Sequence, residues 1–286
     1  MVVPLGNILT GVGCFGALVM LPHLAKPEKM CKMFLTIYPD GRDQQEQLHF
    51  MHFSLFSNLF WLAVTVAVAG QTCPCPPVAI GFMLIIFTRI IQVFIGFRSD
   101  LLGLAKGPVM MQVAAGTIII VVTLVATVLA MQDEEYLAAK AAMEAIAFEK
   151  METAAPLVYF IVGVSLFFAL MSAPGICMAE KMIDGYIPSA LRLADKYAGA
   201  QMQFYMAMQS REQFFFWLLL AALFVMSPDI APIGVTVCCM SAYFIGFCIY
   251  AISNQVKLGL ALPGMLFWLI MMSFIFGATA LGLTLI

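Results

Sequence analysis

Residues 108–131 read PVMMQVAAGTIIIVVTLVATVLAM, a run of 24 residues without a charged side chain. A helix needs about 20 consecutive apolar residues to cross the hydrocarbon core of a bilayer, so this run is long enough to span it. Lys106 and Gly107 precede Pro108 and form a turn signal that marks where the helix begins. The run therefore predicts a transmembrane α-helix, because a closed β-barrel would need shorter segments that alternate apolar and polar residues.

Seven further stretches are apolar over a similar length, at residues 4–22, 49–70, 77–97, 156–178, 209–227, 231–252 and 261–285. The composition agrees, because hydrophobic residues make up 63% of the chain, charged residues only 10%, and the mean hydropathy is +1.00. A soluble protein carries roughly a quarter charged residues, so much of this surface must face lipid. The sequence predicts an all-α membrane protein with eight transmembrane helices. The net charge of −2 argues against a nucleic-acid partner.

The basic residues are concentrated after the first, third, fifth and seventh predicted helices. The loops there, with the helix ends beside them, carry 11 of the 14 Lys and Arg residues. Because basic loops stay on the inner side of a membrane, we expect these loops in the cytosol, or in the matrix or stroma of an organelle. Both termini and the central linker then face the opposite compartment, in an organellar or endoplasmic reticulum membrane. The residues are Lys26, Lys29, Lys32, Arg42, Arg98, Lys106, Lys181, Arg192, Lys196, Arg211 and Lys257.

The two halves of the chain resemble each other. Residues 4–30 match residues 156–182 with 11 identities in 27 positions, at an offset of 152. The later helices match at an offset of 156, and the difference of four residues falls in the polar loop between. The first set comprises Pro4-Leu5, Gly11-Val12, Phe15, Ala17-Leu18, Pro22 and Glu28-Lys29-Met30, and in the second set Gln45, Gln47, Phe60-Trp61-Leu62 and Pro76 recur as Gln201, Gln203, Phe216-Trp217-Leu218 and Pro232.

This repeat divides the chain into three parts. Residues 1–131 and residues 156–286 each form a four-helix transmembrane unit, and residues 132–155 join them. Four helices return the chain to the side where it began, so the two repeats are parallel and lack the inverted symmetry of many transporters. The linker begins with Asp133-Glu134-Glu135, and acidic side chains favour a helix N-terminus. We therefore expect a polar amphipathic helix near the membrane surface.

Several short motifs in the first unit carry a family resemblance. Ile8-Leu9-Thr10-Gly11, Phe15, His23-Leu24-Ala25 and Tyr38-Pro39 resemble the first helix and loop of the MAPEG family, the microsomal glutathione transferases and related eicosanoid enzymes. The resemblance implies four-helix units that assemble as trimers and bind glutathione between neighbouring units. Two units per chain cannot close a trimer alone, so it also implies other membrane subunits as partners.

The motifs that hold glutathione in this family are incomplete in both halves. On helix 2 of the second unit, Gln209-Ser210-Arg211-Glu212 resembles the family pattern Asn-x-x-Glu, with Gln in place of Asn, whereas the first unit has Phe53 and Phe56 there. On helix 3, the pattern Gly-Arg-x-x-Tyr/His keeps its arginine in the first unit and its tyrosine in the second. The resemblance implies a composite site whose glutathione ligands are Arg89, Gln209, Arg211 and Glu212 and whose catalytic candidates are Arg89 and Tyr250.

Two functions from different classes follow. In the first, the duplicated unit is a non-catalytic accessory subunit of a larger membrane complex, because both halves carry broken motifs and almost no soluble domain. In the second, it is a glutathione-dependent transferase or peroxidase with the composite site. Bound lipid or a pigment is a further ligand that the sequence leaves open. A channel or carrier is disfavoured, because few polar residues are available to line a path.

The candidate residues also have structural interpretations. Arg89 lies in an apolar run, where it either forms an ion pair or extends toward the basic side of the membrane. Arg211 and Glu212 could form an interfacial pair at the start of their helix, and Tyr243 and Tyr250 could belong to an aromatic belt.

Two groups of residues have metal-ligand chemistry. Glu46, His49 and His52 are spaced by three residues, so the sequence predicts that they share one helix face. That face either binds a metal or tetrapyrrole or is exposed to water at the membrane interface. Cys73-Pro74-Cys75 is a candidate metal or redox site in a short loop, although no second cysteine pair completes a metal site.

Overall fold

The computed structural model describes residues 5–99, 102–153, 155–187 and 196–285. Pro4 and Arg192, which the sequence arguments used, lie outside the described residues. The described residues form helices joined by short turns, with an isolated bridge between Leu35 and Leu104. The helices are α1 (Leu5–Ala25), α2 (Pro27–Phe34), α3 (Arg42–Thr72), α4 (Pro76–Phe97), α5 (Lys106–Gln132), α6 (Glu134–Thr153), α7 (Ala155–Cys177), α8 (Ala179–Asp184), α9 (Lys196–Met226), α10 (Ala231–Ser253), α11 (Gln255–Leu258) and α12 (Leu262–Thr284).

Seven of these helices are long and apolar enough to cross a membrane: α1, α3, α4, α5, α7, α10 and α12. The prediction of an all-α membrane protein is therefore confirmed. The eighth predicted segment, residues 209–227, lies in α9 except for its last residue, and it begins with the polar residues 209–213. α9 is not among the seven candidate spans.

Helices α3 and α9 begin well before the apolar segments at residues 49–70 and 209–227 that predicted them. Each has 31 residues and is therefore about 46 Å long. The early turns of α3 are polar but form a helix, and Arg42 Nε lies 3.3 Å from Glu46 Oε1 one turn later. Hydrophobicity marks the part of a helix that suits lipid, so it misses polar turns that extend beyond the bilayer core.

The long helices pack in pairs around a central contact between α3 and α9. Within each half, α1 packs on α3, α4 on α5, α7 on α9, and α10 on α12. Between the halves, α3 also contacts α10, and α9 contacts α4. Small residues permit the tight α1–α3 pair, because Gly6 and Gly70 abut each other's helix and Thr10 Oγ1 donates to the Ala67 carbonyl at 3.3 Å.

We expect Gly13→Ala to lower the free energy of unfolding by about 1–3 kcal/mol. A Cβ at Gly13 would meet the backbone of Ala63 and Ala67 on α3, which cannot move aside as a flexible side chain can. The matched control is Gly11→Ala on the same helix, where nothing lies within 4 Å of the added Cβ. Unfolding in a mixed detergent, followed by circular dichroism, measures both variants, and equal stabilities would contradict the packing argument.

The loops that carry most of the basic residues meet at one end of the bundle. The Ala105 N–H donates to the Phe34 carbonyl at 2.8 Å, and the Ala261 N–H donates to the Tyr186 carbonyl at 2.7 Å. Lys257 links the two halves at this end, since its Nζ lies 3.3 Å from Glu46 Oε2. Away from this end, large apolar side chains on the outer helices are exposed, as expected where lipid is the solvent.

Candidate functional site

A buried ion pair joins the two halves of the chain. Arg89 on α4 donates from Nη1 to Glu212 Oε1 on α9, and the two side chains are only 11% and 5% exposed. The neighbouring Arg211 donates from Nη1 to the Thr88 carbonyl at 3.1 Å. The structure therefore brings together three of the predicted glutathione ligands. Arg89 is turned into the protein and does not extend to the basic end.

The surroundings of this pair are closed. The Arg89 guanidinium lies 5.6 Å from the ring centroid of Phe56, and that ring stacks on His23 with centroids 3.7 Å apart. Glu212 Oε2 is buried without a hydrogen-bond partner among the described residues. Neither Arg89 nor Glu212 lines either of the two cavities described below. The pair is therefore placed to hold α4 against α9, and a ligand could reach it only if the helices separated.

A hydrogen-bonded chain of buried aromatic side chains lies beside the ion pair. His23 Nδ1 is 2.9 Å from His52 Nε2, and His52 Nδ1 is 3.0 Å from the Tyr205 hydroxyl. A consistent set of protons has Tyr205 donating to His52 Nδ1 and His52 donating from Nε2 to His23. The chain continues to the Cys31 thiol, which in this arrangement donates to the Tyr205 oxygen, and burial raises the pKa of Cys31 to about 12. The network ties α1, α2, α3 and α9 together.

The predicted Glu46, His49 and His52 face is divided between two environments. His49 Nε2 hydrogen-bonds to the Tyr38 hydroxyl, and both Glu46 and His49 line an open cleft, whereas His52 is buried in the network. Six residues along a helix rotate a side chain to about 120° from its starting direction, so the first and last members cannot share a face. Among the described residues, no group of three or more His, Cys, Asp and Glu side chains could hold a metal ion.

The open cleft lies between α2 and α3 of the first half and α10 and α11 of the second. Its volume is about 1340 Å³. Aromatic rings form its walls, with Phe50 and Phe247 stacked at 5.0 Å between centroids, and Tyr250 is 56% exposed toward it. The hydroxyl of Tyr243, also on the wall, hydrogen-bonds to Ser57 at 2.8 Å. The cleft therefore combines an aromatic interior with the hydroxyl of Tyr250, which can donate to a ligand.

Four lysines and two glutamates surround the mouth of the cleft: Lys26, Lys29, Lys32, Lys257, Glu28 and Glu46. Lys32 Nζ binds Glu28 Oε1 at 2.6 Å, and this hydrogen bond and the ammonium charge lower the pKa of Glu28. Within the described part of the chain, Lys26 and Lys29 form no ion pair. The mouth therefore carries an excess of positive charge, which suits an anionic group attached to an apolar body.

A second, smaller cavity of about 110 Å³ lies between α3 and the helices of the second half. It receives Gln209, whose Oε1 is buried without a hydrogen-bond partner in the described part of the chain. Gln213 borders the same cavity and donates to Asn58 Oδ1 at 3.3 Å. The predicted ligands are thus distributed over three places: Arg89, Arg211 and Glu212 in the closed pair, Gln209 in the small cavity, and Tyr250 in the large cleft.

The sequence arguments missed the buried network. His23 and Tyr205 were not candidates, and neither was Gln201, which donates from Nε2 to the carbonyls of Ile37 at 2.9 Å and Leu102 at 3.0 Å. A usable signal was the scarcity of histidine, since the chain has three and all of them lie in α1 and α3, two of the long apolar helices. Lys257 gave no comparable signal, because its contact with Glu46 depends on how the halves pack.

Comparison with known proteins identifies no relative of this chain. No family model, no curated protein and no solved structure matches it. The ion pair, the histidine network and the cleft must therefore be interpreted from their own chemistry.

Proposed function

We propose that this protein is a non-catalytic, MAPEG-like accessory subunit of a larger membrane complex, built from two parallel four-helix repeats. In this proposal α9 is the eighth membrane crossing, and α6 is the polar helix that joins the repeats. The basic end of the bundle faces the cytosol, matrix or stroma, and the linker helix faces the opposite compartment. Other membrane subunits are its partners, because two units per chain cannot close the trimer that the family resemblance implies.

Two local features support the repeat. Gly103 and Gly259, which are 156 residues apart, have φ values of 56° and 60° and are the residues with positive φ in the described part of the chain. The hydrogen bonds from Ala105 to Phe34 and from Ala261 to Tyr186 follow the same offsets as the sequence identities. Matching backbone conformation and hydrogen bonding in matching loops are expected of duplicated units.

The observation that carries the non-catalytic proposal is the closed ion pair between Arg89 and Glu212. A glutathione site needs a cation for the carboxylates of the peptide and a carboxylate for its amine. Here the two charges that the family resemblance reserves for those contacts bind each other and are nearly inaccessible. In this proposal the chain has kept both charges, and they now join its two halves.

The cleft supports a second candidate, a glutathione-dependent transferase or peroxidase. Lys26 and Lys29 could bind the carboxylates of glutathione, Glu46 its amine, and the Tyr250 hydroxyl could stabilise the thiolate that acts as the nucleophile. The cleft lies between the proposed repeats, as a composite site requires. Its binding residues would differ from those of the family, except for Tyr250.

A glutathione titration of the detergent-solubilised full chain distinguishes the two candidates. For the accessory subunit we expect no saturable binding and no thiolate absorbance at glutathione concentrations well above those in cells, together with migration in a large native complex when the protein is extracted from its own membrane. Saturable binding with a thiolate signal would contradict this and support the enzyme.

If binding occurs, two variants locate it. Tyr250→Phe would abolish the thiolate absorbance, and Lys29→Ala would weaken binding about tenfold if it removes one charge-assisted contact. Lys181→Ala is the matched control, because Lys181 is the repeat counterpart of Lys29 and does not line the cleft. Equal loss of binding in the two lysine variants would show that glutathione binds elsewhere.

A further inference from the structure

The loop between α3 and α4 brings two thiols into contact. α3 ends at Thr72 and α4 begins at Pro76, so Cys73, Pro74 and Cys75 make the whole connection. The Sγ atoms of Cys73 and Cys75 are 3.5 Å apart, neither cysteine is in a disulfide, and the two side chains are 3% and 4% exposed. Cysteines inside the apolar helices can act as small hydrophobic residues, but two thiols in direct contact at a helix boundary can also undergo thiol–disulfide exchange.

The surroundings favour a thiolate at Cys75. The hydrogen bond from the Cys73 thiol lowers the pKa of Cys75 most, and the backbone N–H of Val78 and the ammonium of Lys140 lower it further, against the opposing effect of burial. Cys75 is the N-cap residue of α4, so its sulfur lies where the helix dipole favours negative charge. Cys31 provides the contrast, because burial dominates there and raises its pKa to about 12.

The equivalent loop of the second half holds an anion at the same helix end. With Pro76 matched to Pro232, the counterpart of Cys73 is Asp229. The Asp229 carboxylate accepts a hydrogen bond from the Ala231 N–H at 3.0 Å, at the start of α10. The counterpart turn of the second half therefore accommodates a negative charge two residues before the position that matches Cys75.

The linker helix α6 covers the loop. The Tyr136 hydroxyl donates to the Pro74 carbonyl at 2.7 Å, and the nearby Lys140 is on the same helix. The hydrogen bond from Tyr136 therefore places α6 over the loop that carries the two thiols. A reagent can reach them when α6 moves away from the loop.

We propose that Cys73 and Cys75 form a dithiol–disulfide couple that exchanges with a low-molecular-weight disulfide such as oxidised glutathione, with α6 as its cover. The Cys75 thiolate attacks one sulfur of the reagent, which breaks the S–S bond and releases one thiolate. Cys73 then loses its proton and attacks Cys75 Sγ, which releases the second thiolate and forms the bond between Cys73 and Cys75. The two protein thiols are oxidised, and the reagent is reduced to two thiols that carry the two protons.

This couple would be reversible. A disulfide between residues two positions apart closes a small ring, and strained disulfides are the labile ones that exchange readily. It does not depend on whether the cleft binds glutathione, because the loop lies at the opposite end of the bundle from the basic cleft. The reaction would replace two thiol groups with one disulfide bond in the loop between α3 and α4.

The test equilibrates the detergent-solubilised full chain with mixtures of reduced and oxidised glutathione, traps free thiols with a maleimide and measures each cysteine by peptide mass spectrometry. We expect the peptide that contains Cys73 and Cys75 to lose two hydrogens, without an attached glutathione. Cys177, which is exposed, serves as the reactive reference and should stop at a mixed disulfide, whereas Cys31 should stay a thiol. In Cys73→Ser, Cys75 should accumulate the mixed disulfide that the wild type resolves.

The cover is tested by Tyr136→Phe, which should raise the rate of oxidation roughly fivefold through loss of one neutral hydrogen bond. Tyr159→Phe is the matched control, since Tyr159 is 64% exposed and far from the loop in sequence, and it should leave the rate unchanged. The proposal is overturned if both thiols of the wild type and of Tyr136→Phe stay reduced when Cys177 is fully converted. It is also overturned if wild-type Cys75 ends as a glutathione mixed disulfide.

Discussion

Replacing Arg89 by leucine is expected to lower the free energy of unfolding by about 3–5 kcal/mol, the largest effect of any single substitution considered for this protein. The substitution leaves the Glu212 carboxylate nearly inaccessible to water and without the cation that hydrogen-bonds to it in the described part of the chain. Glu212 must then either remain charged in an apolar environment or take up a proton, and both lower the stability of the folded state. Unfolding in a mixed detergent, followed by circular dichroism, measures the loss.

Two variants test whether this loss comes from the unpaired carboxylate of Glu212. Arg98→Leu removes an arginine from the end of the same helix, where the side chain is exposed and lies 4.9 Å from the centroid of the Phe94 ring, so the expected cost is below about 1 kcal/mol. The double variant Arg89→Leu with Glu212→Leu removes both charges and should recover most of the lost stability. A double variant as unstable as Arg89→Leu would mean that the packing of α4, and not the charge, determines the result.

His52→Leu is expected to cost roughly 2–4 kcal/mol, because it leaves His23 Nδ1 and the Tyr205 hydroxyl buried without the partner that now joins them. His49→Leu is the matched control on the same helix, since His49 lines the cleft and its loss breaks one hydrogen bond at a wetter position. The same unfolding measurement compares the two variants.

Tyr205→Phe completes a double-mutant cycle with His52→Leu. If the two residues are coupled through their hydrogen bond, the combined loss should be smaller than the sum of the two single losses. Additive losses would show that the network is a set of separate contacts, and a cost for His52→Leu no larger than that for His49→Leu would contradict its central position.

The class of the fold could be predicted from the chain because a lipid environment imposes simple requirements on length and polarity. Residues 108–131 show this directly, since a charge-free run of that length has few alternatives. The first turns of α3 and α9 were missed for the same reason. They are helical outside the apolar segments, where hydrophobicity carries no information about backbone conformation.

The site was predictable only where an energetic penalty was visible in the sequence. Arg89 in an apolar run has to be satisfied by an acid, and few acids lie in apolar surroundings, so its pairing with Glu212 was open to inference. The contact between His52 and Tyr205 spans 153 residues and depends on how α3 packs against α9. Helix periodicity and residue spacing give no information about contacts over so large a separation. The buried network and the contact between Lys257 and Glu46 could therefore be found only in the structure.

The ion pair between the halves also bears on how the chain could have changed since the proposed duplication. At an offset of 156, Arg89 matches Ile245 and Glu212 matches Phe56, so each half holds one charge and lacks the other. If the proposed repeats were separated, the first half would bury an arginine without its acid and the second half a carboxylate without its base. An unpaired buried charge is costly, so the ion pair favours keeping the two proposed repeats in one chain.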